Sequence, residues 1–271
     1  MNNTFNINRF GLLLKRQWLD FGKIYLISLV VLLGIVVGFY SYSIPSPLKN
    51  NNFDYDGDLD MRFRYPLFLI LGFVFISIVA SSYFNILGQK SRAILELMTP
   101  ASTFEKFLGG IFYTAILSLA TYLILFYLVD LPFVKYINAH LSEFKMSGAK
   151  ASLPKPVESI SAQIVNDENY RNYLLHFITV PFLITSIFLL GSIYFNRFHY
   201  IKTAISVMVF GVLWITSTIF VMRKLTSNTV WVGNHYWQDE SNILFIMSLM
   251  GILLTLAFWL ISFIRLKEKE A

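Results

Sequence analysis

Six apolar runs, each about twenty residues long, limit what this chain can fold into. They lie at about 24–44, 66–87, 107–129, 172–195, 201–222 and 243–264, and about 20 apolar residues is the length a helix needs to cross the hydrocarbon core of a bilayer. An isolated strand in lipid would leave its backbone donors and acceptors unpaired, so each run must be helical. Only 14% of the 271 residues are charged, against about 25% in a soluble domain, and those charges gather in the gaps between runs. The pattern specifies an all-α membrane protein, a single transmembrane domain over residues 1–271 with six transmembrane helices.

The gaps alternate in charge. Arg9, Lys15, Arg16 and Lys23 stand against Asp20 before the first run, and Lys90, Arg92 and Lys106 against Glu96 and Glu105 after the second. Arg197 and Lys202 have no acid beside them after the fourth, and Arg265, Lys267 and Lys269 face Glu268 and Glu270 in the tail. The other gaps are balanced or acidic: 45–65 holds three bases and four aspartates, and 130–171 holds five bases and five acids. Basic residues accumulate on the cytoplasmic side, so both termini are expected there. The formal net charge of +6 then reflects topology and gives no reason to invoke nucleic acid.

Before the first run, Ile7, Phe10, Leu14, Trp18 and Phe21 recur at helical spacing, with Arg9, Arg16, Asp20 and Lys23 opposite. Residues 1–23 read as an amphipathic cytoplasmic helix in the lipid interface, Trp18 and the bases at headgroup level; an ordinary cationic flank is the plainer alternative. These first residues do not have the form of a cleaved secretory signal. Segment 130–171 is too long for a structureless loop. Its stripe Phe133, Tyr136, Ile137, His140, Leu141 and Phe144, and a second short helix near Val157–Val165, predict a helical extracytoplasmic segment.

Most soluble chemistry is excluded. There is no cysteine, hence no disulfide or thiolate ligand. The four histidines (140, 176, 199, 235) are scattered, and Gly22-Lys23 lacks the upstream glycine of a phosphate-cradling loop. No catalytic set and no metal site is expected. Asp54, Asp56, Asp58 and Asp60 alternate as a cation site would, but the glycine and the closing glutamate of a calcium loop are misplaced; a solvated acidic loop is the alternative. His176 is the lone ionisable group noted inside a run, where a proton- or sodium-coupled carrier would need midplane carboxylates. Pro181 and the glycines at 34, 38, 72, 191, 211 and 251 suit kinks and close packing. Trp231, His235, Tyr236 and Trp237 before the last run form either an interfacial aromatic belt or a short re-entrant element lining an outer exit.

One short gap is more specific. In "LELMTPASTFEKFLGG", residues 95–110, Thr99-Pro100 suits a helix start with proline at its first position. Ser102-Thr103-Phe104-Glu105 is an alternative start, a capping box. Either way a polar turn begins beside the membrane and leads into the third run.

On this stretch, quoted in full as "KSRAILELMTPASTFEKFLGG" (90–110), the chain resembles the type-2 ATP-binding-cassette (ABC) transporter permeases of bacteria. Lys90-Ser91-Arg92-Ala93 departs from the glycine-containing pattern of many members, and 130–171 is longer than usual for them. The resemblance implies a permease subunit of an exporter in the bacterial cytoplasmic (inner) membrane. The substrate would be hydrophobic or amphipathic, moved by ATP that a separate nucleotide-binding ATPase hydrolyses. ATP and Mg would belong to that partner, and this chain would hold no cofactor and have no enzymatic activity. A second permease chain, identical or not, and membrane lipid are the other implied partners. Glu96, Thr99, Pro100, Ala101, Ser102, Phe104, Glu105 and Lys106 would form the coupling helix that meets the ATPase, with polar contacts from Glu96, Glu105 and Lys106. Phe10, Leu14, Arg16 and Trp18 would mark the interfacial helix. The rival from another class is a non-transporting scaffold or sensor that binds a partner through 130–171.

Overall fold

A computed structural model of the chain describes residues 5–44, 59–85, 98–143, 155–225 and 240–270. Among these residues there is no β-strand. In chain order the helices are α1 (Ile7–Tyr42), α2 (Arg64–Tyr83), α3 (Thr103–Ile111), a π-helical turn (Phe112–Leu117) and α4 (Ser118–Ala139). A 3-10 turn (Leu141–Glu143), α5 (Ile160–Asn166), α6 (Glu168–Phe177), α7 (Thr179–Tyr194), α8 (His199–Leu225) and α9 (Glu240–Glu270) follow. Six helical stretches are long and apolar enough to cross a membrane: Ile7–Tyr42, Arg64–Tyr83, Thr103–Ala139, Arg171–Tyr194, His199–Phe220 and Ser241–Lys269. The chain is a multi-pass, all-helical membrane protein.

Most of segment 1–23 and the first apolar run share one helix. α1 runs unbroken for 36 residues, because no proline interrupts it and its hydrophobic stripe does not change phase. That stripe is Leu13, Gln17, Phe21, Tyr25, Leu32, Val36 and Tyr40, all buried. Steps of four with one of seven keep these residues on one side of a 3.6-residue helix. Ile7, placed on the apolar face by sequence, is 73% exposed, and Trp18 also lies off the buried stripe.

The fourth apolar run divides into α6 and α7 at Ile178. Pro181 explains the position: its ring would clash with the carbonyl four residues back, at Phe177, and it has no N–H to donate. It therefore sits in the first turn of α7, where that donor is not needed. The second extra-membrane helix begins at Ile160, capped by the Ser159 side chain, which accepts from the Ala162 N–H at 3.2 Å.

The chain forms two compact units. The first comprises Met1–Lys15, Ile76–Ala115 and His176–Ala271; the second comprises Arg16–Phe75 and Ile116–Leu175. In the first, α7 packs against α8 and α9, and α9 against α3. α7 buries Thr185, Ser186, Gly191 and Ser192 on one face, and small residues let membrane helices approach closely. The three hydroxyls donate to carbonyls of their own helix, at Phe182, Leu183 and Leu189, so the seam buries no unsatisfied hydroxyl there. A Cβ placed on Gly191 would fall 1.9 Å from Thr203 Oγ1, and one on Gly251 3.0 Å from Thr179 Oγ1.

The second unit is built from rings. Tyr40 packs edge-on against Phe133 at 4.7 Å, Phe63 at 5.7 Å and Phe126 at 5.9 Å, each such pair worth about 0.5–1.5 kcal/mol beyond its area. Tyr122 lies against Gly72 and donates to the Phe68 carbonyl. Gly72, Gly191 and Gly251 thus serve close packing, whereas Gly34, Gly38 and Gly211 have open space where a Cβ would stand.

Candidate functional site

The turn before α3 is densely hydrogen-bonded. Thr99 accepts the Ala101 N–H through its carbonyl at 2.8 Å, so Thr99-Pro100-Ala101 forms the approach and Ser102 is the cap. Both bonds of the capping box are present. Glu105 N–H donates to Ser102 Oγ at 3.2 Å, and Ser102 N–H donates to Glu105 Oε2 at 2.9 Å. Of the two starts open in the sequence, the second is the one formed.

The Glu105 carboxylate does more than complete the cap. Its Oε1 accepts from the Asn6 N–H at 2.9 Å and from Arg9 Nη2 at 2.7 Å; its Oε2 accepts from Arg9 Nε at 2.8 Å. Two oxygens thus take four donors, in a bidentate fork of the strong charge-assisted kind. The carboxylate is 0% exposed. It fastens the start of α1 to the start of α3 across 96 residues of sequence. Tyr113 adds a second tie by donating to the Leu14 carbonyl at 2.8 Å.

Rings extend the same body. Phe104 packs edge-on to Phe5 at 6.3 Å and to Phe263 of α9 at 6.2 Å, and Phe107 meets Phe263 at 5.6 Å. The outer surface is apolar: Met98 is 74% exposed and Phe104 46%.

The structure therefore brings together Thr99, Pro100, Ala101, Ser102, Phe104, Glu105 and Lys106 with Phe10 and Leu14. Glu105 and Lys106, expected to offer polar contacts to a partner, are turned inward, Lys106 being 3% exposed. The reason is local: Glu105 occupies the third helical position, from which its side chain reaches back to the cap and on to Arg9. Arg16 and Trp18 belong to the second unit. There Arg16 makes a 4.0 Å exposed pair with Asp20, and Trp18 packs beside Gly22 and against Tyr25. Glu96, Trp231, His235, Tyr236 and Trp237 lie outside the described residues, as do Asp54, Asp56 and Asp58.

The second unit holds a charged cluster that sequence reasoning counted only as loop charge. Arg64 Nη1 donates to Asp130 Oδ1 at 3.1 Å, and the two side chains are each 2% exposed. Tyr40 Oη donates to the same oxygen at 2.8 Å, and the Ile160 N–H donates to Oδ2 at 2.9 Å. Arg64 Nη2 and Nε donate to the carbonyls of Glu158 and Met61 at 3.1 and 3.3 Å. Asn138 exchanges two bonds with the Val157 backbone, at 2.9 and 2.8 Å. Residues 157–166 are thereby fastened to the ends of α2 and α4. The only signal in the sequence was an opposite pair of charges at the edges of two apolar runs.

Comparison with protein-family models, with curated proteins and with solved structures finds no match to this chain.

Proposed function

We propose that this chain is the membrane-spanning permease subunit of an ABC exporter, with both termini in the cytoplasm and its substrate hydrophobic or amphipathic. The observation that carries the reading is the Glu105 junction. A short capped helix beside the membrane is tied by three hydrogen bonds to the start of the first span and by rings to the last. A push on α3 is then delivered to α1 and α9 together, as rigid-body switching requires. In this reading Met98 and Phe104 fill a groove on a partner ATPase, while Glu105 and Arg9 keep the lever stiff. ATP and Mg bind to that partner, and a second permease chain completes the pathway in a bacterial inner membrane.

The test is purification from native membranes in mild detergent, followed by assay of nucleotide hydrolysis in the recovered complex. A hydrolysing companion is expected, and Met98→Asp should lower its recovery while leaving the fold intact, since Met98 is 74% exposed. A chain recovered with no such companion sinks the reading and favours a scaffold that acts through the fastened segment 157–166.

A further inference from the structure

The first unit carries another organised surface, where α7, α8 and α9 meet. The chain passes from α7 to α8 in four residues, Phe195 to Phe198, and Phe198 takes a left-handed φ of 55°. Everything around this turn holds it in place. Phe195 N–H donates to the Gly191 carbonyl and Lys202 N–H to the Phe198 carbonyl, both at 3.0 Å. His199 is buried with Nε2 2.7 Å from Asn85 Oδ1, and Tyr200 stacks on Phe188 at 5.2 Å.

Two cations stand over rings of this frame. Lys202 Nζ stands 5.6 Å from the centre of the Phe195 ring, and the Arg265 guanidinium 5.6 Å from that of Tyr194. Rings at that distance attract a cation and hold it in place. Lys202 and Lys269 both lie within Coulombic reach of His199. Arg197 in the turn and Lys267 on α9 are exposed. Among the described side chains, Glu268 is already paired with Arg265 at 2.7 Å. Beside the cations, Phe198 is 71% exposed and Tyr194 59%.

Fixed like charges with an apolar rim fit one kind of ligand in a bilayer. We propose that this end of the first unit binds the headgroup of an anionic phospholipid, the cations taking the phosphate and Phe198 and Tyr194 the glycerol and upper acyl region. Clusters of lysine and arginine at the ends of membrane helices recruit anionic lipid in this way, and aromatic rings favour the same interfacial level. The inference needs only the membrane-spanning fold and does not rest on the transport reading.

The test uses the full chain in mixed micelles holding equal amounts of phosphatidylglycerol and phosphatidylcholine, with native mass spectrometry counting the lipids retained. Preferential retention of phosphatidylglycerol is expected. In the variant Arg197→Gln, Lys202→Gln, Lys267→Gln that preference should fall by on the order of a hundredfold, from the removal of three cations. A control, Lys15→Gln, Arg16→Gln, Lys23→Gln, should keep it. Equal retention of the two lipids by the unmodified chain overturns the proposal, whatever the variants do. So does an undiminished preference in the first variant, or an equal loss in the control. Displacement by excess inorganic phosphate would assign the site to a free anion and equally overturn it.

Discussion

Each unit is fastened by an arginine and a carboxylate, and the two pairs differ in their surroundings. Arg64 and Asp130 are both withdrawn from solvent, and backbone groups and a tyrosine hydroxyl complete their bonding. Arg9 is 31% exposed while its partner Glu105 is 0% exposed. A pair buried on both sides punishes the loss of either partner, because the survivor is left charged and unpaired. A pair with one wet member has a cheaper escape: the arginine returns to water, and the damage is confined to the carboxylate's side. The first arrangement suits a permanent fastening, and the second a joint that is stiff yet separable.

This contrast can be broken by mutation. Asp130→Ala should show the largest effect, a loss of about 3–5 kcal/mol from stranding a buried arginine, read as a lower midpoint of thermal unfolding in detergent. Replacing both members, Arg64→Met with Asp130→Leu, should recover much of that loss; no recovery would mean that the cluster is held by more than its charges. Glu105→Ala should cost less stability than Asp130→Ala. Its larger effect should fall on the coupling of nucleotide hydrolysis to transport in the partnered complex, and an equal or greater drop in unfolding midpoint would reverse the ranking of the two pairs. Ser102→Ala removes one half of the capping box and should cost about 1 kcal/mol, as other N-caps do.

The sequence was most legible where the physics is local. The Ser102–Glu105 box could be read because both partners lie within one helical turn, and the apolar runs because lipid allows a backbone almost no alternative to helix. Pro181 signalled a disturbance in the fourth run, and the break falls where its ring requires. What could not be read is set by tertiary approach. Arg9 and Glu105 are 96 residues apart, and no local rule pairs them. Asp130 looked like one acid among five in an outer segment; only the meeting of α2, α4 and residues 157–166 makes it a centre. The π-helical turn at Phe112–Leu117 had no sequence mark.

The interruption at Ile178 has a consequence for how the molecule opens. Helical cooperativity travels through successive i→i−4 hydrogen bonds, and Pro181, with no N–H, cannot donate one. Unwinding that begins in the exposed residues of α6 therefore stops at the proline instead of running into the seam that α7 makes with α8 and α9. In amide hydrogen exchange α6 should lose its protection as one block, early, while Leu189 to Ile193 exchange only with the slowest protons of the first unit. The proline acts as a firebreak, confining local melting to the side of the span that has least to lose.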